Sequence, residues 1–186
     1  MPNILALDPG AERLGYAVLE EQDGEPPLSR ASGMVGVKRG SDEEYQTYRL
    51  RIIDYFMVKA DELIRAFKPV VIVNEIIPPV GGNASNQIQR QLALTALTAF
   101  QTVGRQNGIE LKQISAQTVK ARIGGNRKAT KTTVRNNVFV IMPKTLIFKK
   151  QWVGVFDESD AYAVGLTYLG YNVKEQRTAE KGTPTS

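Results

Sequence analysis

The chain has no cysteine and no histidine among its 186 residues. The absence of cysteine excludes disulfides, thiolate zinc sites and cysteine nucleophiles. The absence of histidine excludes Ser-His-Asp triads and imidazole metal ligands. Any acid–base or metal chemistry must therefore use Asp, Glu, Lys, Tyr or water.

Long apolar runs are missing too. No stretch of about 18 apolar residues is present, so we expect no membrane span. The first apolar stretch is short and no basic region precedes it, so we expect no secretory signal peptide. These features, with the absence of cysteine, favour a cytoplasmic location.

Acidic residues are absent from one long segment. Residues 111–156, the basic segment, contain ten Lys or Arg and no Asp or Glu, whereas the rest of the chain has 14 basic and 19 acidic residues. The net charge of +5 therefore comes from this segment. A basic face attracts polyanions, so the segment favours a nucleic-acid partner; the alternative is a solvated basic surface.

Apolar patterning and turn signals predict one α/β domain over residues 1–171 and a polar, disordered tail over residues 172–186. Three leading strands suggest an antiparallel meander, and later βα units suggest parallel strands. The expected architecture is a mixed five-stranded central sheet with helices on both faces. The expected strands are residues 3–8, 14–20, 30–37, 70–75 and 109–114, and the expected helices are residues 41–67, 85–104, 115–122, 130–141 and 157–169. Ser41 is the expected N-cap of the first helix, in a capping box with Glu44.

Acidic residues end two of these strands and begin the last helix. Asp8 follows the apolar stretch at residues 4–7, and Glu75 ends the most apolar strand. Asp157 and Asp160 are three residues apart, so they lie on one helical face. If the two strands are parallel neighbours, their ends lie about 5 Å apart. Each acid alone is compatible with a turn or a helix-dipole role, but together they predict one site.

Four clustered carboxylates repel one another unless a cation holds them. Oxygen ligands in a chain without His or Cys suit Mg²⁺ or Mn²⁺, and we expect one or two ions per subunit. A carboxylate cluster beside a basic face predicts metal-dependent phosphodiester hydrolysis.

The same residues carry a resemblance to a known family. The segment ILALDPG at residues 4–10, continued by GYAV at residues 15–18, resembles the first motif of RuvC-type Holliday-junction resolvases. Glu75 matches the second acid of that family, and DESDA at residues 157–161 matches its closing pair. The resemblance covers roughly residues 3–170. It implies a ribonuclease H-like fold and cleavage of four-way DNA junctions by paired nicks that leave 5′-phosphate ends, in a bacterial or phage-infected bacterial cell.

The resemblance also implies roles for individual residues. Asp8, Glu75, Asp157 and Asp160 would hold the metal ions. Lys131 would lie near the scissile phosphate, and Lys120 would contact the backbone nearby. Beyond the resemblance, we expect Arg122, Arg127, Lys128 and Arg135 of the basic segment to bind flanking phosphates. The family often has an aromatic residue where this chain has Pro78, so we expect a weaker sequence preference or a wider range of branched substrates.

A homodimer is expected, because a four-way junction has near twofold symmetry and needs two nicks. The helix over residues 85–104 has an apolar arc that is too wide for a helix with one solvated face, and the resembled family dimerises there. The expected interface residues are Ile88, Leu92, Leu97 and Phe100. The alternative is that this helix is fully buried in the core of its own chain.

Three other functions remain open at this stage. An actin-like or sugar-kinase-like ATP-binding protein would need two such lobes, for which the chain is too short. A ribonuclease H-like nuclease could act on other branched DNA or on RNA–DNA hybrids. A non-catalytic junction-binding protein would need the basic segment but not the four acids.

Overall fold

The computed structural model describes residues 1–10, 13–77, 84–142 and 156–176, except for the side chains of residues 84 and 85. Strands and helices follow one another along these ranges in the predicted order. They are β1 (Asn3–Pro9), β2 (Arg13–Glu20), β3 (Leu28–Gly36), α1 (Tyr45–Phe67), β4 (Val71–Glu75), α2 (Ala84–Gln106), β5 (Glu110–Ile114), α3 (Ala116–Arg122), α4 (Lys131–Ile141) and α5 (Asp157–Tyr168). None of the helices described is long and apolar enough to span a bilayer.

The five strands form one mixed sheet in the order β3-β2-β1-β4-β5. The pairs β1–β2 and β2–β3 are antiparallel, whereas β1–β4 and β4–β5 are parallel. The predicted meander and parallel strands are therefore confirmed. Because β1 and β4 run in the same direction, both end at the same edge of the sheet.

Helices cover both faces of the sheet, as predicted. Side chains alternate along β1, so that Ile4 and Ala6 pack with residues of α3, α4 and α5. Leu5 and Leu7 pack on the opposite face with residues of α1 and α2. The domain therefore has two apolar cores, one on each side of a buried sheet.

Helix α1 begins later than the sequence suggested. The predicted capping box at Ser41 is wrong, because the N-cap is Glu44 and its side chain makes no capping hydrogen bond. The reason lies in Glu43, whose carboxylate accepts hydrogen bonds from the backbone N–H of Gly40 and from Arg51. These hydrogen bonds hold residues 40–43, which precede the N-cap, in a non-helical turn. Further along α1, every fourth residue is buried: Tyr48, Ile52, Phe56, Ala60 and Ile64.

Helix α2 is mostly a core helix, so three of the four residues expected at a dimer interface were assigned wrongly. Leu92, Leu97 and Phe100 are at most 5% exposed and pack in the core that α1 shares with the sheet. Ile88 is 47% exposed. The apolar arc of α2 is wide because α1 covers one part of it and the sheet covers another.

The folded part extends past the predicted boundary at residue 171. Val173 is 1% exposed and belongs to the core beneath α5, within a helical turn at residues 173–176. The remainder of the predicted tail, residues 177–186, lies outside the described residues.

A candidate active site at the carboxyl edge of the sheet

The ends of β1 and β4 bring Asp8 and Glu75 to neighbouring positions. The register pairs Leu7 with Asn74, and the two acids are the next residue on each strand. Both acids are partly buried. The two strand-ending carboxylates therefore share one edge of the sheet, as the sequence predicted.

Helix α5 adds two more carboxylates because its backbone packs closely against β2. Gly15 permits this approach, since a Cβ at that position would clash with the backbone carbonyl of Asp157. The close packing sets the first turn of α5 beside the end of β1, which pairs with β2. That turn carries Asp157 and Asp160, and acidic residues are favourable at a helix N-terminus.

Helix α4 supplies a cation to this cluster. The Nζ atom of Lys131 lies 2.6 Å from Oδ2 of Asp160 and donates a hydrogen bond to it. Lys131 is the first residue of α4, directly after the N-cap Thr130, whose side chain accepts a hydrogen bond from the N–H of Thr133. The side chain of Lys131 is 59% exposed and that of Asp160 is 13% exposed, so the ammonium reaches the carboxylate from the solvent side.

Burial and mutual repulsion disfavour the charged forms of the acids. Burial, followed by the charges of Asp160 and Glu75, raises the pKa of Asp8 to about 8, and nearby Lys131 only partly offsets this. The pKa of Glu75 is also raised, by burial and by Asp160. Burial likewise raises the pKa of Asp160, against the lowering effect of the hydrogen bond from Lys131. The charges are therefore close enough to interact strongly.

The site favours the charged form of Lys131, whereas it disfavours the charged forms of the acids. Burial disfavours its ammonium form, but the hydrogen bond and charge of Asp160 outweigh burial, with further help from Asp8 and Asp157, and the pKa of Lys131 is raised. Lys131 is therefore a permanent cation at neutral pH.

Metal ligation is not pre-formed in this arrangement. Among the described residues, no group of three or more acids is placed to hold a metal ion. The donor chemistry nevertheless fits a hard divalent cation, because the cluster is made only of carboxylate oxygens. A divalent cation would also relieve the repulsion that, after burial, raises the pKa of Asp8.

The other predicted DNA-binding residues lie around α3 and α4. The prediction that Ser115 caps α3 is confirmed, since its side chain accepts a hydrogen bond from the N–H of Thr118. Lys120, in the last turn of α3, is near enough to lower the pKa values of Glu75 and Asp160. The side chains of Arg122, Arg127 and Lys128 are exposed.

Arg135 differs from the other predicted DNA-binding residues, because its guanidinium lies over the ring of Phe156, 5.2 Å from the centroid. This contact joins α4 to the start of α5. Pro78 and the last part of the basic segment, residues 143–155, lie outside the described residues.

Sequence reasoning missed two features of this edge. Arg13, in the loop-to-strand segment between the DPG and GYAV stretches, has its Nε atom 3.7 Å from Oδ2 of Asp157. Its place within the first motif, five residues after Asp8, was a signal for a contact with the acidic cluster. Asn74, which precedes Glu75, is 1% exposed and hydrogen-bonded to Gln101 of α2. No sequence signal pairs two amides that are 27 residues apart.

Comparison with protein families gives one match across most of the chain. The family model described as "Crossover junction endodeoxyribonuclease RuvC" matches residues 4–168. This range includes Asp8, Glu75, Lys131 and both acids of α5.

Curated relatives and solved structures agree with this match. The RuvC crossover junction endodeoxyribonuclease of Aliarcobacter butzleri is 24% identical over 89% of this chain and 96% of the relative. That of Sulfurovum sp. is 26% identical over 90% of this chain and 94% of the relative. A structure of Thermus thermophilus RuvC in complex with Holliday junction substrate is 18% identical, with a TM-score of 0.68 over 96% of this chain and 97% of that chain. The last likeness confirms the ribonuclease H-like fold.

Proposed function

The chain belongs to the RuvC family of crossover junction endodeoxyribonucleases, and from this membership we propose that it resolves four-way DNA junctions. We propose that it does so by paired, symmetric phosphodiester hydrolysis that leaves 5′-phosphate ends. The observation that carries the proposal is the convergence of Asp8, Glu75, Asp160 and Lys131 at one edge of the sheet. Action on bacterial DNA would place the protein in the cytoplasm.

The carboxylates are proposed to hold one or two Mg²⁺ or Mn²⁺ ions. Asp8, Glu75, Asp157 and Asp160 would be the ligands. The raised pKa of Asp8 supports this, because burial and then the charges of neighbouring acids disfavour its carboxylate form, which a bound cation would stabilise. When bound, such an ion would activate water for attack on phosphorus and stabilise the leaving oxygen.

Lys131 is proposed to contact the scissile phosphate. Its ammonium is held at the cluster by Asp160 yet is largely exposed, so a phosphate oxygen can approach it from solvent. In that position the ammonium would stabilise the negative charge that develops on the phosphoryl oxygens in the transition state.

The exposed basic residues of α3 and the α3–α4 connection are proposed to bind flanking phosphates. Arg122 ends α3, Arg127 and Lys128 lie in the connection between α3 and α4, and all three residues are exposed. Contacts to phosphates fix the register of a nucleic acid without reading its bases. Such contacts support selection of a branched structure rather than a sequence.

Two active sites are proposed to come together in a homodimer that docks through the exposed outer side of α1 and α2. A groove between these helices, with a volume of about 470 Å³, is lined in part by Ile53, Met57 and Leu94. Ile88 is exposed at the start of α2. These apolar side chains replace the buried residues that the sequence suggested for the interface.

One assay tests the proposed function directly. Purified protein is incubated with a synthetic four-way junction, a linear duplex, a flap and an RNA–DNA hybrid, with Mg²⁺ and with Mn²⁺. We expect nicks at symmetric positions in the junction, and loss of cleavage in Glu75→Gln but not in Glu62→Gln, an exposed acid on α1. Preferred cleavage of the flap or hybrid would indicate a different ribonuclease H-like nuclease. Binding without cleavage would indicate a junction-binding protein.

A further inference from the structure

We propose that Asn74 and Gln101 are positioning residues that hold the backbone of Glu75 in place for catalysis. The inference rests on the proposed function, because it assigns a task to residues behind the proposed active site. Asn74 lies on β4 directly before Glu75, and Gln101 lies on α2. Their side chains are hydrogen-bonded to each other and, from Asn74, to the backbone of Glu75 rather than to its carboxylate.

The strand pairing around Glu75 is one-sided. The β1–β4 ladder ends at the pair Leu7–Asn74, so Glu75 has no register partner on β1. On the other side, Glu75 pairs with Ile114 of β5, and the N–H of Ile76 donates to the carbonyl of Ile114. At Glu75 the backbone of β4 is therefore paired with β5 but not with β1.

The side chain of Asn74 provides a further anchor at this point. Its Nδ2 atom donates a hydrogen bond to the backbone carbonyl of Glu75, at 2.8 Å. Gln101 in turn donates from Nε2 to Oδ1 of Asn74, at 3.2 Å. The backbone carbonyl of Glu75 can only accept a hydrogen bond, so the amide nitrogen of Asn74 must face Glu75 and its oxygen faces α2. Gln101 supplies the donor that this oxygen needs, and it thereby holds the side chain of Asn74 in that orientation.

An amide is an unusual choice for this position if stability were the only requirement. Asn74 continues the buried run Val71–Val73 and is itself 1% exposed. An apolar side chain there would extend the core of α1 and α2, whereas a buried amide needs partners to offset its desolvation. Buried polar groups whose hydrogen bonds are all made rigidify a structure and specify one arrangement of it.

The hydrogen bonds connect the two faces of the sheet. Successive side chains of a strand point to opposite faces, so Asn74 faces α2 while Glu75 faces the helices of the site. A side chain in one core therefore restrains the backbone that carries a carboxylate over the other core. Loss of this restraint would let the end of β4 move without unfolding the sheet.

The test compares Asn74→Leu and Gln101→Leu with Thr167→Val, which removes a buried hydroxyl that donates to Ala163 far along α5. We expect Asn74→Leu to melt within a few degrees of the wild type or above it. Its kcat on the junction should fall about tenfold, or roughly 1.4 kcal/mol of transition-state stabilisation, with little change in KM. Gln101→Leu should lower kcat less, and the double variant should be no slower than Asn74→Leu alone. Thr167→Val should keep the wild-type kcat.

A second readout does not depend on turnover. The rise in melting temperature on adding Mn²⁺ should be smaller in Asn74→Leu than in the wild type, because Glu75 is less well placed. Wild-type kcat and an unchanged Mn²⁺ shift in Asn74→Leu would overturn the inference, as would additive effects in the double variant. If Asn74→Leu does not fold, Gln101→Leu alone decides by the same criteria. A wild type that fails to cleave any junction would instead overturn the proposed function.

Discussion

Replacing Asp8 by asparagine should separate the stability of this protein from its activity. The substitution keeps the shape of the side chain and removes a partly buried carboxylate that lies near three other acids. Burial and these neighbours raise the pKa of Asp8 from 3.8 to about 8. The folded protein therefore binds a proton at Asp8 in a pH range where the unfolded chain has released it.

The sign of the resulting pH dependence follows from linkage. Between about pH 4 and pH 8, the unfolded state holds fewer protons at this position than the folded state, so the free energy of unfolding falls as pH rises. The full penalty is reached above pH 8. Allowing for partial access of solvent, it amounts to roughly 3–5 kcal/mol at about 1.4 kcal/mol per pKa unit. Asp8→Asn removes the ionisable group, so this penalty should disappear.

Thermal melts in a chelating buffer from pH 4.5 to pH 9 provide the measurement. We expect Asp8→Asn to melt close to the wild type at the acidic end. At pH 8–9 it should melt higher, at about 2–4 °C for each kcal/mol relieved. Asp54→Asn, a change at an exposed acid of α1, serves as the matched control and should follow the wild type throughout.

Asp8→Asn should lower the cleavage activity and the stabilisation by metal, although it raises the melting temperature at high pH. Stabilisation of the wild type by saturating Mn²⁺ should reach about 2.7 kcal/mol at one hundred times the dissociation constant, and it should shrink in Asp8→Asn. Junction cleavage should fall by orders of magnitude while gel-shift binding persists. If Asp8→Asn has the same melting profile as the wild type at every pH, the assignment of a buried, repelled carboxylate is wrong. If it cleaves junctions at the wild-type rate, its catalytic role is wrong.

Three further substitutions test other parts of the structure. Gly15→Ala should push α5 away from β2, because its Cβ would clash with the carbonyl of Asp157. Cleavage should then fall about tenfold or more. The control is Gly40→Ala, where a Cβ has room, and it should leave the cleavage rate unchanged. Leu97→Glu should unfold the protein, since it buries an unpaired charge at a cost of several kcal/mol, and a folded monomer in ultracentrifugation would contradict this. Lys128→Ala should lower the slope of junction affinity against salt by about one, and an unchanged slope would show that this residue contacts no phosphate.

Much of the fold could be predicted because the strands near the site have clear local signals. The apolar run of β1 ends at Asp8 before a Pro-Gly turn, and that of β4 ends at Glu75. Capping of α1 could not be predicted in the same way. Ser41 has the right residue type, but the carboxylate of Glu43 binds Arg51, eight residues further along the chain. A tertiary ion pair thus decides where the helix begins.

The role of α2 shows a different limit of sequence reasoning. A wide apolar arc on a helix indicates that this surface is buried, but it does not indicate whether the same chain or a second copy buries it. Leu92 and Leu97 are covered by their own chain. The candidate site was likewise predicted only in part. Each of the four acids stands at the end of an element and could be found, whereas the contact between Lys131 and Asp160 depends on how α4 packs against α5.

Burial is the main reason that the pKa of Asp8 is so strongly raised, and the charge balance of the site adds to it. Lys131 pairs with Asp160, and Arg13 lies near Asp157. Lys120 is near enough to lower the pKa of Glu75. Within the described part of the chain, Asp8 makes no ion pair, although the charge of Lys131 reaches it. Asp8 is thus the acid that the protein's own cations compensate least, and an added cation would gain most by binding there.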